Sequence, residues 1–196
     1  MWTKCLRMVG LVGLLGCLSL GLAGCPCIGG PFLIRDAALE SAVRAALGKP
    51  FGCLSRNDLL RVTEIQAANL NIHTLDGIEN CKNLRILNLK NNLIQSITPL
   101  TTLINLTFLD LGFNEVSHLE PLAGLFFLDQ LYLDGNEILD LKPLVANAVN
   151  GGLGDGDILV LPATVLGSDN EIQEIFRDDV QTLHNAGVRV FVEDRP

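Results

Sequence analysis

Three histidines, six cysteines and a closely spaced pair of aspartates are the residues of this 196-residue chain with the widest chemical range. They do not assemble into a reactive group. His73, His118 and His184 share no spacing with one another, no serine stands in a GxSxG setting, and no glycine-rich phosphate loop is present. Asp155 and Asp157 in "GLGDGD" lack the further oxygen ligands at regular intervals that a calcium loop requires, so the stretch reads as a glycine-rich turn. "CPC" at Cys25–Cys27 has no histidines near it to complete a zinc site. Cys81 falls on an apolar register and reads as an inert buried thiol. Cys53 has two candidate disulfide partners, Cys27 and Cys81, and no disulfide framework is legible. The expectation is no catalytic residue, no metal site and no cofactor.

One cysteine does have a legible chemistry. Lys4 and Arg7 precede an apolar run that starts at Met8 and closes in "LAGC", Leu22–Cys25, with no acidic residue before Asp36. The run is about 15 residues long, short of the ~20 that a membrane span needs. A basic start, a short apolar middle and a small-residue end describe a secretory signal peptide. A packed core helix is disfavoured by Gly10, Gly13, Gly16, Gly21 and Gly24. "LAGC" resembles the lipobox of bacterial lipoproteins. That resemblance implies cleavage before Cys25, a diacylglycerol on its sulfur and an acyl chain such as palmitate on its new amino group. Several chains anchor stably where one is marginal. Residues 1–24 are then the signal peptide, the protein is lipid-anchored in the bacterial envelope, and Pro26 favours the outer membrane in a Gram-negative host.

The leader carries two of the 14 basic residues and none of the 22 acidic ones, so the mature chain has a net charge of −10. Such a surface repels nucleic acid and anionic lipid headgroups. The remaining length suits one domain with a proper core.

Internal periodicity decides the architecture. Copies start at Val62, Leu84, Leu106 and Leu128, as in "LRILNLKNNLIQSITPLTTLIN" and "LTFLDLGFNEVSHLEPLAGLFF". Apolar residues recur at positions 1, 4, 6, 11, 14, 17 and 20 of each copy, and Asn92, Asn114 and Asn136 fall at position 9. Positions 4 and 6 alternate with polar neighbours, which predicts a short strand burying Leu87/Leu89, Leu109/Leu111 and Leu131/Leu133. Stacked copies then make a parallel sheet over a continuous core. Each asparagine sits where the strand turns inward, so its amide can satisfy backbone groups there, whereas Asn91 beside it reads as an ordinary surface residue. Pro99, Pro121 and Pro143 at position 16 predict short turns rather than long helices on the other side. The pattern is identified as leucine-rich repeats and resembles the 22-residue class of bacterial internalin-like proteins. The first copy departs from it, with Ala67 for the position-6 leucine and Leu70 for the position-9 asparagine. After Leu144 the period slips, and "ILVLPATVL" reads as a divergent fifth copy starting near residue 156, with Leu159, Leu161 and Leu166 inward and Thr164 in the asparagine slot.

The expected fold is an α/β solenoid: a leucine-rich-repeat arc over residues 62–167 with short parallel strands on its concave face. An exposed core end needs a cover. Residues 34–61 supply an N-terminal helical cap. Its first helix runs from an Asp36 N-cap to Gly48 with Leu39, Val43, Ala46 and Leu47 as the apolar stripe, and a second, capping-box helix starts at Ser55. Residues 168–196 supply a helix-and-strand cap opened by "SDNE" at Ser168, with Ile172, Ile175, Phe176, Val180 and Leu183 on one side and "VRVFVE" as a final strand. Residues 25–33 tether this domain to the lipid.

Positions 3, 5 and 7 of each strand point away from the core. They place Ile86, Asn88, Lys90, Phe108, Asp110, Gln130, Tyr132 and Asp134 on the concave face, with Phe113 beside them at position 8. Aromatics among Asn, Asp and Gln suit a binding surface for a protein or other macromolecule. Two other roles fit the same features: an envelope structural element without a discrete ligand, and an accessory or inhibitor of an envelope hydrolase.

Overall fold

The computed structural model describes residues 33–166 and 171–192. The expected signal peptide over residues 1–24, Cys25, Cys27 and Ser168 lie outside them. The chain divides into two units, Met1–Gly30 and Pro31–Pro196, and the repeats belong to the second.

Six strands, β1 (Glu64–Gln66), β2 (Ile86–Asn88), β3 (Phe108–Asp110), β4 (Gln130–Tyr132), β5 (Ile158–Leu161) and β6 (Arg189–Val192), form one parallel sheet in chain order. Register follows the repeat. Ile65, Leu87, Leu109 and Leu131 stand opposite one another, each 22 residues from the last, and Leu159 and Val190 continue the row. These inward residues, with Ala67, Leu89, Leu111, Leu133 and Leu161 at position 6, pack into a single core that runs the length of the sheet. The small Ala67 is fully buried, whereas Leu70 is exposed and fills no core slot.

The position-9 asparagines work as the spacing predicts. Asn114 Nδ2 donates to Leu89 O, Leu111 O and Gly112 O at 3.0, 2.9 and 3.3 Å, while its Oδ1 accepts from Ile94 N at 3.1 Å. Asn92 and Asn136 repeat this arrangement one copy earlier and one copy later. Each amide therefore stitches its own turn to the preceding copy. Asn91 is no ordinary surface residue. Its backbone is left-handed, φ 57°, and its Nδ2 donates to Asn69 Oδ1 at 2.6 Å.

On the opposite side Pro99 and Pro121 sit in 3-10 turns, Thr98–Thr102 and Glu120–Leu122, as expected. Pro143 does not. It lies in the first turn of a true helix, α3 (Lys142–Val149), because proline is compatible with a helix start and the insert supplies the extra residues. Asn147 on α3 is fully buried at position 20, where other copies have Cys81, Leu103 and Leu125. It donates to Leu122 O and Leu125 O, which also accept from Leu125 N and Leu128 N, and its Oδ1 accepts from Leu153 N, so it ties α3 and the insert to the preceding copy.

At the N-terminal side α1 (Ala37–Leu47) has Asp36 as N-cap and Gly48 in the left-handed region as C-cap. Its buried stripe is Leu39, Ala42 and Val43, and Ala46 is exposed. The helix packs against β1. Asp36 also accepts from His73 N at 3.0 Å, tying the helix start to the first copy. α2 (Arg56–Leu59) carries a reciprocal Ser55–Asp58 capping box. A 2.6 Å bond from Lys49 Nζ holds the Asp58 carboxyl well below the usual carboxylate range. At the other side α4 (Glu174–Asn185) begins later than the sequence suggests, after Gln173. Ile172 forms an antiparallel bridge to Leu166 instead, and Ile175 is exposed, so the buried stripe reduces to Phe176, Val180 and Leu183. Leu166 is only half-buried and Val165 takes the core slot, while Thr164 is exposed and does not replace asparagine.

Among the described residues no helix is long and apolar enough to cross a membrane.

Candidate functional site

A parallel strand buried on one side presents alternate residues on the other, and β1 to β6 turn one continuous face outward. Its position-3 row is Glu64, Ile86, Phe108, Gln130, Ile158 and Arg189. Its position-5 row is Gln66, Asn88, Asp110, Tyr132, Val160 and Phe191. Strand spacing brings Phe108 and Tyr132 together diagonally, ring centroids 5.6 Å apart and planes tilted by 48°. Both are half-buried, as are Ile86, Asn88, Lys90, Phe113 and Gln130. The Tyr132 hydroxyl donates to Gln130 Oε1 at 3.1 Å, and Asn88 Nδ2 donates to Gln66 Oε1 at 3.1 Å. Side-chain bonds within and between copies thus order the face before anything binds.

Two of the expected site residues are placed differently from a freely exposed surface. Asp110 is 8% exposed and Asp134 fully buried, although their register points them outward. Both close around Gly112: a Cβ there would lie 2.9 Å from Asp134 Oδ1 and 3.1 Å from Asp110 Oδ1. Asp110 Oδ1 accepts the Gly112 N–H at 2.9 Å. These buried carboxylates lie beside the aromatics, with Asp110 directly opposite Tyr132 in the strand register.

The face continues past β4, first to Ile158 and Val160 at positions 3 and 5 of the divergent fifth copy and then to β6, which no period marks. Ile158 is half-buried beside Gln130, and Phe191, 48% exposed, lies opposite Val160. Phe191 escapes sequence reasoning because β6 is 31 residues from β5, so no repeat position marks it. Only the alternation in "VRVFVE" carries the signal. The core positions of the period also leave a second apolar group unmarked: Ile104, Phe126 and Phe127, at positions 21 and 22 of their copies, are all exposed.

The reactive candidates stay apart. His73 and His184 are exposed on different elements, and the His118 ring bonds its neighbour Ser117, Oγ to Nδ1 at 2.9 Å. Cys81 is a free buried thiol, pushed up to about 12 by burial and by nearby Glu79. Cys53 is disulfide-bonded, which excludes the Cys53–Cys81 pairing; Cys27 lies outside the described residues. Among the described residues no group of three or more His, Cys, Asp or Glu side chains could hold a metal ion.

No family model matches the chain. Among solved structures, an internalin (InlF) of Listeria monocytogenes is similar over 81% of this chain, with 28% identity and a TM-score of 0.65. The similar region spans 43% of that internalin, less than half of its length. Internalin C2 of the same species matches over 82% of this chain and 94% of its own, at 23% identity and a TM-score of 0.38. The fold is therefore an internalin-like leucine-rich-repeat fold built on an open, six-stranded parallel sheet.

Proposed function

We propose that this chain is a bacterial envelope lipoprotein, anchored through diacylglycerol on Cys25, that binds a protein partner through the concave face of 22-residue internalin-like repeats. It performs no catalysis and needs no cofactor. The carrying observation is the preordered outer face, with Phe108 and Tyr132 in contact beside the buried Asp110 and Asp134 and Phe191 exposed on the same face. A merely structural face would gain nothing from aromatics there, since Leu109 and Leu131 beneath already close the core. Rigid aromatics surrounded by bonded amides are the composition of binding hot spots. Residues 25–33 are then the tether, 34–61 and 168–196 close the two core ends, and 62–167 carry the recognition surface. The packing of α1 on β1 and the addition of β6 to β5 support it.

The decisive experiment places a photo-crosslinking amino acid at Asn88 in intact cells and identifies the adduct by mass spectrometry. Phe108→Ala/Tyr132→Ala should weaken capture of that protein by at least ~2 kcal/mol. Its stability should fall by less than the ~2–5 kcal/mol expected for a buried leucine. A folded double variant that captures the same protein unchanged would move the site off this face. For the anchor, metabolic labelling with an alkyne fatty acid should mark the wild type and not Cys25→Ala; label retained on the variant would refute lipidation at Cys25.

A further inference from the structure

Position 8 is left-handed in every regular copy. Asn69, Asn91, Phe113 and Gly135 stand there with φ of 61°, 57°, 55° and 67°. Asparagine and glycine adopt that backbone readily, whereas a bulky side chain in it is an outlier that costs stability. The two asparagines also bond each other, a ladder that Phe113 cannot continue. The Phe113 ring instead lies against Gly135, where a Cβ would come within 2.6 Å of its Cδ1. Lys90 Nζ sits over the same ring, 5.1 Å from its centroid. The third copy thus departs from the local preference, and what it gains is an ammonium held on an aromatic ring.

Lys90 takes part in none of the ion pairs among the described residues, Arg35–Asp76, Arg44–Glu40 and Lys49–Asp58. Asp110 and Asp134 on the same face are buried around Gly112. In a chain with 22 acidic and 14 basic residues, this lysine is half-buried on the aromatic face and stands outside those ion pairs. We infer that Lys90 and Phe113 form a carboxylate-recognising corner, taking an Asp or Glu side chain of a protein segment whose neighbouring aromatic or aliphatic side chain rests on Phe108 and Tyr132. This inference rests on the proposal that the face binds protein. Phe113 acts as a positioning residue: it fixes the ammonium before binding, so the lysine loses less freedom when the carboxylate arrives.

Random dodecapeptides displayed on phage and selected on the full chain provide the probe. Peptides selected on the wild type should be enriched about fivefold or more in Asp and Glu next to an aromatic or aliphatic residue, the bias expected of a charge-assisted contact worth close to a decade in affinity. Lys90→Gln should abolish the bias, and Phe113→Asn should reduce it. Phe113→Asn should melt no more than about 3 °C below the wild type, because the asparagine relieves the left-handed strain and extends the Asn69–Asn91 ladder. A larger fall would make the ring structural packing and overturn the proposal. So would the absence of an acidic bias, or its persistence in Lys90→Gln. Selected peptides that still bind Phe108→Ala/Tyr132→Ala would refute the binding face itself. Peptides that lose binding there but show no acidic bias would refute the corner alone.

Discussion

From β1 to β4 the chain advances 22 residues per strand; to β5 it advances 28 and to β6 31. The sheet does not register the difference. Leu111 N donates to Tyr132 O at 2.9 Å in the regular half, and Leu133 N donates to Val160 O at 2.8 Å across the slip. What changes is how the turns are satisfied. The regular half uses the inward amides of Asn92, Asn114 and Asn136, each reaching back to the preceding copy. The irregular half uses local devices: Asn147 on α3, the Gly154 N–H bonded to Asp157 Oδ2, and the Arg189 guanidinium on Gly156 O. A parallel ladder therefore requires strand register, not a sequence period, and the period persists where one side chain has to satisfy each turn.

The sharpest way to break this comparison is in the core, which both halves share. Leu111→Ala and Leu161→Ala should each cost ~2–5 kcal/mol by denaturant unfolding, since both are fully buried. A small loss at Leu161 would make the irregular half an ornament on a four-strand domain. The next effect separates the halves. Asn114→Ala leaves the Ile94 N–H and Asn147→Ala the Leu153 N–H without a partner, at ~1–3 kcal/mol each, and each variant also removes one of two donors from carbonyls of the preceding copy. Thr164→Ala, at the same repeat position as Asn114, should change stability by less than ~0.5 kcal/mol, because the residue is exposed and its bond to Asn136 O is long, 3.3 Å. Equal losses at Asn114 and Thr164 would erase the distinction. A smaller effect belongs to the left-handed backbone. Asn91→Ala should cost ~1 kcal/mol, and Asn91→Gly should restore most of it, read as paired midpoints.

The smallest effect has opposite signs at the two sides. Burial raises the Asp36 carboxyl, but N–H donors from His73, Leu39, Ala38 and Thr74 outweigh it and lower the group below its ordinary 3.8. Its contribution is present above 3.8 and is lost as pH falls through the lower folded value. Burial raises Asp157 and Asp179, helped by Asp129 and by Asp140 respectively. The folded chain then binds those protons more tightly, so β5, β6 and α4 gain stability as pH falls from neutral toward the carboxylate range. Native-state hydrogen exchange should show protection of α4 rising as pH falls from neutral toward 3.8, while α1 stays level until the pH is below 3.8. Parallel behaviour of α1 and α4 would show that these carboxylates do not govern their regions.

Legibility in the sequence follows the same division. The strands, the inward leucines, the asparagine stitches, the Asp36 and Ser55 caps and the Phe108–Tyr132 contact all come from side chains recurring at a fixed interval or at a known cap position. The helix α3 is hidden because Pro143 signals a turn at the same position in its sister copies, and only the longer insert allows a helix. The burial of Asp110 and Asp134 is hidden because alternation gives direction, not depth, and depth here depends on the absent side chain at Gly112. The role of Asn91 is hidden because the left-handed demand at position 8 emerges only when Asn69, Phe113 and Gly135 are aligned with it.

The backward-reaching amides have a consequence for how such a chain changes length. Asn92 holds Ala67 O at 2.8 Å and Asn114 holds Leu89 O at 3.0 Å, each with residues of its own turn. Excising residues 84–105 would bring Asn114 to Ala67 O in the place Asn92 now takes, with Leu111 following Ala67 in the core. Duplicating the same segment would add a rung that arrives with its own stitch. Copy number can thus drift by whole units without orphaning a turn, so genetic recombination can lengthen or shorten the surface while each inherited rung remains foldable.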